Sequence, residues 1–194
     1  KEFGVKVVNV PAINQVSVAE HVLALLFTFS KNIHLQHNSV QKASWKRLVG
    51  IEIEGKTIGI IGLGAVGKEL AIKAKAIGMN VIAYDLYKDN DFLTKHKEVK
   101  FLTKINDIFG CADVISLHIP HTKETEKIIN KETINKKIKK QPIIINTARG
   151  KLVDSKAIIE GLKDKKIKAY LCDVLSVEPI LENEKLLGLE NVII

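Results

Sequence analysis

The stretch Thr57-Ile-Gly-Ile-Ile-Gly-Leu-Gly-Ala-Val-Gly-Lys68, continued by Val81-Ile-Ala-Tyr-Asp85, decides how this chain folds. Ile58, Ile60 and Ile61 form a short β-branched run of the kind buried on both faces of a parallel sheet, and the run stops at Gly62. Gly62, Gly64 and Gly67 give the spacing G-x-G-x-x-G. The first glycine permits a tight turn, the second lets backbone approach a diphosphate, and the third lets a helix pack close to the strand. Val66, Leu70, Ala74 and Ile77 share one face of that helix, Lys68, Glu69 and Lys73 lie towards water, and Gly78 sits where a C-terminal cap belongs. Unpaired N–H groups at the helix start, around Ala65 and Val66, point at the turn and make an anion site.

The second strand ends at Asp85, 18 residues beyond Gly67. An acid there accepts hydrogen bonds from a ribose hydroxyl and repels a 2′-phosphate. No arginine stands among Leu86, Tyr87 and Lys88 to welcome that phosphate, so the reading is NAD rather than NADP. Glycines also serve ordinary turns, and the alternative is a unit of the same shape with an altered site. Strand, helix, second strand and acid in register favour the dinucleotide.

The chain has 194 residues, enough for one good core or a large domain with a fragment of another. Its net charge of +8 raises nucleic acid as a partner, but the lysines are scattered through 95–100, 131–140 and 163–168 without interleaved aromatics. That pattern reads as a solvated surface that also draws in an anionic cofactor. Cys111 and Cys172, with no C-x-x-C and no histidine at metal spacing, read as buried, reduced thiols of a cytoplasmic protein without a metal. Val22–Phe29 is too short to span a bilayer, so no membrane is expected. With no initiator methionine and an end inside an apolar run at Asn191-Val-Ile-Ile194, the chain reads as a fragment of a longer protein.

Taken in order, Gly4–Val10 reads as a strand leading to Pro11. Ser17-Val-Ala-Glu20 reads as a capping box opening a helix that is apolar nearly all round through Phe29, hence buried. His21 on it reads as a core or interdomain histidine, for want of an acid partner. Trp45 reads as a packed hydrophobe, with a dimer contact as the alternative. Further strands are expected at Val99–Leu102, Asp113–Leu117, Pro142–Ile145, Lys168–Cys172 and Asn191–Ile194. Between them come a helix with Ile105, Ile108 and Phe109 closed by Gly110, a short lysine-rich helical stretch at Thr133–Lys140 that reads as a solvated face, and a helix capped by Asp154. Strands alternating with helices give an α/β doubly wound parallel sheet of Rossmann type. Residues 15–194 read as the dinucleotide-binding domain, and 1–14 as the end of a second, truncated domain and the hinge to it.

Ligands of such sheets bind beyond the carboxyl ends of the strands. Gly62–Gly67, Asp85, His118-Ile-Pro120-His-Thr122, Asn146-Thr147-Ala148-Arg149-Gly150 and Asp173–Glu178 all follow strands and should converge there. Arg149 offers a planar fork of donors that matches a carboxylate, with a surface salt bridge as the plainer alternative. Glu178, before Pro179, can orient an imidazole and raise its pKa, or serve as a loop acid.

These residues together resemble the D-isomer-specific 2-hydroxyacid dehydrogenases. The likeness rests on Asn146-Thr-Ala-Arg-Gly150 with Val153-Asp154, Asp173-Val followed by Glu178-Pro, the Gly-Leu-Gly-x-x-Gly strand, Ser17-Val-Ala-Glu-His21 and Ser116-Leu-His-Ile-Pro120. It covers essentially the whole chain and looks closest to the phosphoglycerate, glycerate and hydroxypyruvate-reductase branch. It implies hydride transfer between NAD and C2 of a small 2-hydroxy or 2-oxo acid, by a two-domain, homodimeric enzyme. By that likeness Arg149 binds the substrate carboxylate and polarises the carbonyl, and Glu178 pairs with a catalytic histidine. Asp173 meets the nicotinamide carboxamide, His118, Pro120 and Thr122 border the cofactor, and backbone at Thr147 and Ala148 lines the nicotinamide ribose.

The family's catalytic histidine follows the last strand in a Thr-Pro-His motif, which would begin just after Ile194. None of His21, His34, His37, His96, His118 and His121 matches its place, so the 194 residues are expected to bind cofactor without turnover. A competing reading is a dinucleotide sensor like the transcriptional corepressors of this fold, for which NAD promotes dimerisation and partner contact.

Overall fold

The isoleucine run after Thr57 forms β1 (Thr57–Ile61) in the computed structural model, which describes residues 4–6, 8 and 13–194. Ile58, Ile60 and Ile61 are fully buried, as the strand can be only if both faces of its sheet are covered. The other strands are β2 (Asn80–Tyr84), β3 (Val99–Phe101), β4 (Val114–Leu117), β5 (Ile143–Asn146), β6 (Ala169–Cys172) and β7 (Val192–Ile193). All pair in parallel, in the order β3-β2-β1-β4-β5-β6-β7. Strand order reverses between β1 and β4, and the crevice of a doubly wound sheet opens at that switch point.

Two layers of helix bury the two faces. On one, Ile58, Ile60, Val81, Ile145 and Leu171 pack with Ala19, Val22 and Leu26 of α1 (Gln15–Ser30) and Leu70, Ala71 and Ala74 of α3 (Ala65–Ala76). On the other, Ile61, Ile115, Ile144 and Tyr170 pack with Ile108 and Phe109 of α5 (Ile105–Cys111) and with Ala157 and Ile158 of α6 (Ser155–Lys163). The alternation along each strand is the period-2 pattern of a sheet covered on both sides. Gly59 is required because α5 lies on it: a Cβ there would stand 2.6 Å from Ile108 Cγ2 and 3.0 Å from Ala112 Cβ. Forcing that overlap would cost about 1–3 kcal/mol. Two shorter helices, α2 (Ile33–Gln41) and α4 (Asn90–Lys95), bury no residue; Asp89 caps α4 by accepting from Phe92 N at 2.9 Å.

Several local expectations are corrected. Helix α1 begins at Gln15, not behind a Ser17 cap; Asn14 precedes it without a side-chain bond. Glu20 reaches across to Lys73 of α3, at 3.3 Å, instead of back to its own amide. With Glu69 at 3.2 Å, that contact half-covers Lys73 and Glu69, which were expected in water. Carboxylates of Glu69 and Glu20 hold the Lys73 ammonium pKa above its ordinary value. Helix α5 runs through Gly110, and Thr133–Lys137 is a single π-helical turn whose Thr133 and Ile134 are buried while Lys136 stays in water. Cys111 is exposed at the end of α5, whereas Cys172 is buried in β6 and its thiol is pushed up to about 11 by burial. Trp45 is 90% exposed and therefore not a packed hydrophobe. The strand expected over Gly4–Val10 reaches positions 7, 9 and 10, and the connection through Pro11 likewise lies outside the described residues.

Candidate functional site

At the switch point β1 and β4 end side by side. Tyr84 O accepts from Gly62 N at 2.8 Å, and Ile61 O accepts from His118 N at 2.7 Å. Gly62 has φ +101°, and a Cβ on it would lie 2.5 Å from His118 O; the position needs glycine for both reasons. A Cβ on Gly67 would overlap Gly62 O, so the third glycine lets α3 rest directly on the turn.

Gly64 is different. Its backbone is extended, at φ −75° and ψ −161°, and a Cβ would meet nothing within 4 Å. Neither strain nor packing demands glycine there, and the demand that remains is close approach by something outside the chain. The α3 N-terminus beside it has no side-chain cap and no acid in its first turn, so the positive end of the helix and the amides of Ala65, Val66 and Gly67 face the opening. These features fit a diphosphate.

Asp85 sits at the rim of the same turn. Its carboxylate accepts from Leu63 N at 2.7 Å and from Tyr87 N at 3.1 Å, which fixes it at the end of β2 while leaving lone pairs for a diol. Lys68 is committed elsewhere, paired with Asp89 and lying over the Phe92 ring at 5.6 Å from its centroid. Its hydrogen bond to Asp89 is the main reason that carboxyl lies below the ordinary range.

Below the turn, His118, Pro120, Thr147, Ala148 and Arg149 line one cavity of about 290 Å³ with Val66, Ile119, Asn14 and Val18. His118 Nε2 is hydrogen bonded to Ser116 Oγ at 2.8 Å, and burial lowers the imidazole pKa to about 4, so the ring is neutral near pH 7. Thr147 Oγ1 is buried without a partner, an oxygen available to a ligand hydroxyl in this crevice. Thr122 lines neither this cavity nor the two beside it. Its hydroxyl donates to Glu124 Oε2 at 2.7 Å within a local turn, which also holds Thr125.

Arg149 and Glu178 share an adjoining cavity of about 330 Å³ with Gly150, Lys151, Leu175 and His121. The packing of two loops explains why they share it. Buried Asn146 donates to Arg149 O at 2.9 Å and accepts from Ala148 N at 3.1 Å, shaping the loop after β5. A Cβ on Gly150 would overlap Leu175 C and O, so the arginine loop lies directly against the segment that bears Glu178. Glu178 accepts from Leu175 N at 2.8 Å, and Arg149 donates to Ala148 O at 2.6 Å; both side chains stay exposed.

Asp173 opens onto a third cavity, of about 470 Å³, bounded by Ser17, Val18, Glu20, His21 and Ala24 of α1. His21 is no core histidine: its Nε2 lies 3.6 Å from Asp173 Oδ1, with both side chains half-exposed. Val18 borders this cavity and the His118 cavity, and Arg149 borders the His118 and Glu178 cavities, so the three adjoin. Sequence reading missed the contribution of Asn14, Val18 and His21, because nothing local says that α1 crosses over the end of β6. Among the described residues, no group of three or more His, Cys, Asp or Glu side chains is placed to hold a metal, and no helix is long and apolar enough to cross a membrane.

Comparison with known proteins agrees with this fold. Residues 23–194 match the family described as D-isomer specific 2-hydroxyacid dehydrogenase, NAD binding domain. The chain is 43% identical over 194 residues to a D-3-phosphoglycerate dehydrogenase of Methanocaldococcus jannaschii, covering 99% of this chain and 36% of that protein. It is 40% identical to a hydroxypyruvate reductase of Thermotoga maritima, covering all of this chain and 62% of the relative. The crystal structure of D-lactate dehydrogenase with NAD+ from Lactobacillus jensenii superposes with a TM-score of 0.84 at 29% identity, over 99% of this chain and 61% of that one. The chain thus spans between about a third and three fifths of the length of these proteins. Fold, glycine turn and relatives coincide: this chain belongs to the D-isomer specific 2-hydroxyacid dehydrogenase family and carries its NAD-binding domain.

Proposed function

We propose that these 194 residues are the cofactor-binding part of an NAD-dependent dehydrogenase that interconverts a small D-2-hydroxy acid and its 2-oxo acid. The observation that carries the reading is that Arg149 and Glu178 line one cavity against the crevice beneath the Gly64 turn. Nicotinamide, when bound, supplies or accepts the hydride. The chain's own side chains do the rest of the work. The guanidinium of Arg149 clamps the substrate carboxylate and polarises the C2 carbonyl, and the carboxylate of Glu178 holds and raises the pKa of a proton-donating imidazole. None of the six histidines in this sequence is read as that donor; His118 is neutral and tied to Ser116, and His121 lies 3.8 Å from Glu126. Turnover thus depends on an imidazole beyond these residues, and the chain alone binds cofactor without it.

In this reading Gly62, Gly64, Ala65, Val66 and Gly67 hold the diphosphate and Asp85 the adenosine ribose. His118, Pro120, Thr147 and Ala148 border the nicotinamide half, Thr122 stands outside these cavities, and Asp173 takes the carboxamide. Residues 1–14 are the end of the substrate domain and its hinge. A homodimer belongs to the same proposal, supported by an apolar surface at Ile33, Val40, Trp45 and Val49 that is 53%, 48%, 90% and 91% exposed. Two free cysteines suit a cytoplasmic setting.

The second reading, a sensor that binds NAD to dimerise without turnover, is favoured by that same surface. Arg149 and Glu178 argue against it, since a sensor needs only the cofactor contacts. The test is NADH oxidation by the intact protein with glyoxylate, hydroxypyruvate or pyruvate. Turnover lost in Arg149→Gln supports the enzyme; no turnover, together with NADH-dependent dimerisation, would make the sensor the correct reading.

A further inference from the structure

We propose that His21 is a positioning residue that sets, through Asp173, how strongly the site prefers the oxidised over the reduced cofactor. The inference rests on the reading of Asp173 against the nicotinamide carboxamide. His21 lies in the second turn of α1, on the side that covers the end of β6, and its Nε2 is 3.6 Å from Asp173 Oδ1. The two side chains line one cavity, which meets the His118 cavity at Val18. A carboxylate beside the nicotinamide favours the oxidised ring, which carries a positive charge that the reduced ring lacks. A proton on His21 places a second positive charge against the same carboxylate, and so opposes that preference.

The charges around His21 are few. Among the described residues, Asp173 faces it from the end of β6 and Glu20 precedes it on α1. Glu20 is itself engaged by Lys73 of α3 at 3.3 Å, with Glu69 on the far side of that lysine at 3.2 Å. Asp173 is therefore the acid whose charge a proton on His21 would offset most directly. The change needs no covalent step: Nε2 takes up or gives back one proton to water. Imidazole is the side chain whose charge is set by pH near neutrality, so the comparison is made across about pH 5 to 8. One added unit charge beside Asp173, at an effective dielectric between those of a protein surface and water, changes the affinity ratio roughly three- to tenfold.

The experiment measures the Kd of NAD+ and of NADH for this chain across that pH range, for the parent and for His21→Gln, His21→Lys and Asp173→Asn. The expected result is a ratio that shifts three- to tenfold towards NADH as pH falls in the parent. The ratio should stay flat in His21→Gln at the high-pH value and flat in His21→Lys at the low-pH value. His21 is half-exposed, so these variants should fold. If Asp173→Asn weakens NAD+ binding but the three proteins with Asp173 intact share one pH profile, the proposal is wrong and the carboxamide reading stands. If Asp173→Asn changes neither affinity, the reading beneath it has failed.

Discussion

Replacing Gly64 by alanine should remove most of the cofactor affinity and leave the fold intact, a separation the other two glycines of the turn do not permit. The backbone at Gly64 is extended and its missing Cβ faces open space, so the unliganded protein bears no penalty. It should even gain up to about 1 kcal/mol, because alanine narrows the unfolded ensemble. In the complex the methyl group occupies the space through which diphosphate oxygens approach amides to about 2.9 Å. Displacing them by one methyl removes one to two hydrogen bonds to a charged group, each about 1.5–3 kcal/mol, for a total near 3 kcal/mol. That corresponds to about a hundredfold rise in Kd. Thermal melts without ligand, beside NADH titrations followed by nicotinamide fluorescence, read the two effects separately. Gly67→Ala is the control: its Cβ would overlap Gly62 O, so it should lower Tm by many degrees. A Gly64→Ala protein with NADH affinity within threefold of the parent would show that the diphosphate does not lie on this turn. A fall of several degrees in its unliganded Tm would show that the space beside Gly64 is not open.

Asp85→Ala should weaken NADH and relax the discrimination against NADPH, at a cost of about 1–2 kcal/mol in stability because Leu63 N and Tyr87 N lose their acceptor. Unchanged affinities for both cofactors would remove the ribose assignment. His118, held to about 4 against an ordinary 6.5, refuses a proton that the unfolded chain accepts. Its contribution is therefore nil above about pH 6.5 and destabilising by about 1.4 kcal/mol per unit as pH falls towards 4, totalling at most ~3 kcal/mol. The partly exposed ring edge reduces that total. Urea midpoints between pH 7 and 5 should fall more steeply for the parent than for His118→Gln, and parallel slopes would contradict the buried, neutral ring. A thiol reagent should modify Cys111 quickly and Cys172 only on unfolding, since one is exposed and burial pushes the other to about 11; simultaneous labelling in the native state would refute the packing of β6.

Most of the fold was legible because it depends on local regularities. Every strand expected from Val99 to Ile194 appears within a residue or two of its place, Asp154 caps α6 by accepting from Lys156 N at 3.0 Å, and Gly78 takes φ +82° behind α3. The errors came where a surface has two claimants. Ser17 and Glu20 have the spacing of a capping box, but Lys73 on another helix competes for Glu20 and wins. Trp45 and Cys111 are apolar residue types that composition sends inward, and among the described residues no layer covers them.

By itself the sequence determined the β-branched strands, the glycine spacing that permits a turn against a helix, and the acid at the end of β2. Each is a property of neighbours in the chain, set by backbone sterics and short-range hydrogen bonding. The tertiary structure gives the three glycines of the motif their different surroundings, Gly64 on open space and Gly62 and Gly67 packed, in line with the separate jobs their spacing predicts. It alone set Gly150 against Leu175, aligning Arg149 with Glu178, and brought His21 to Asp173 across 152 positions of chain. Such pairings follow from how layers of helix and sheet exclude water from one another, and that is settled by the whole core at once.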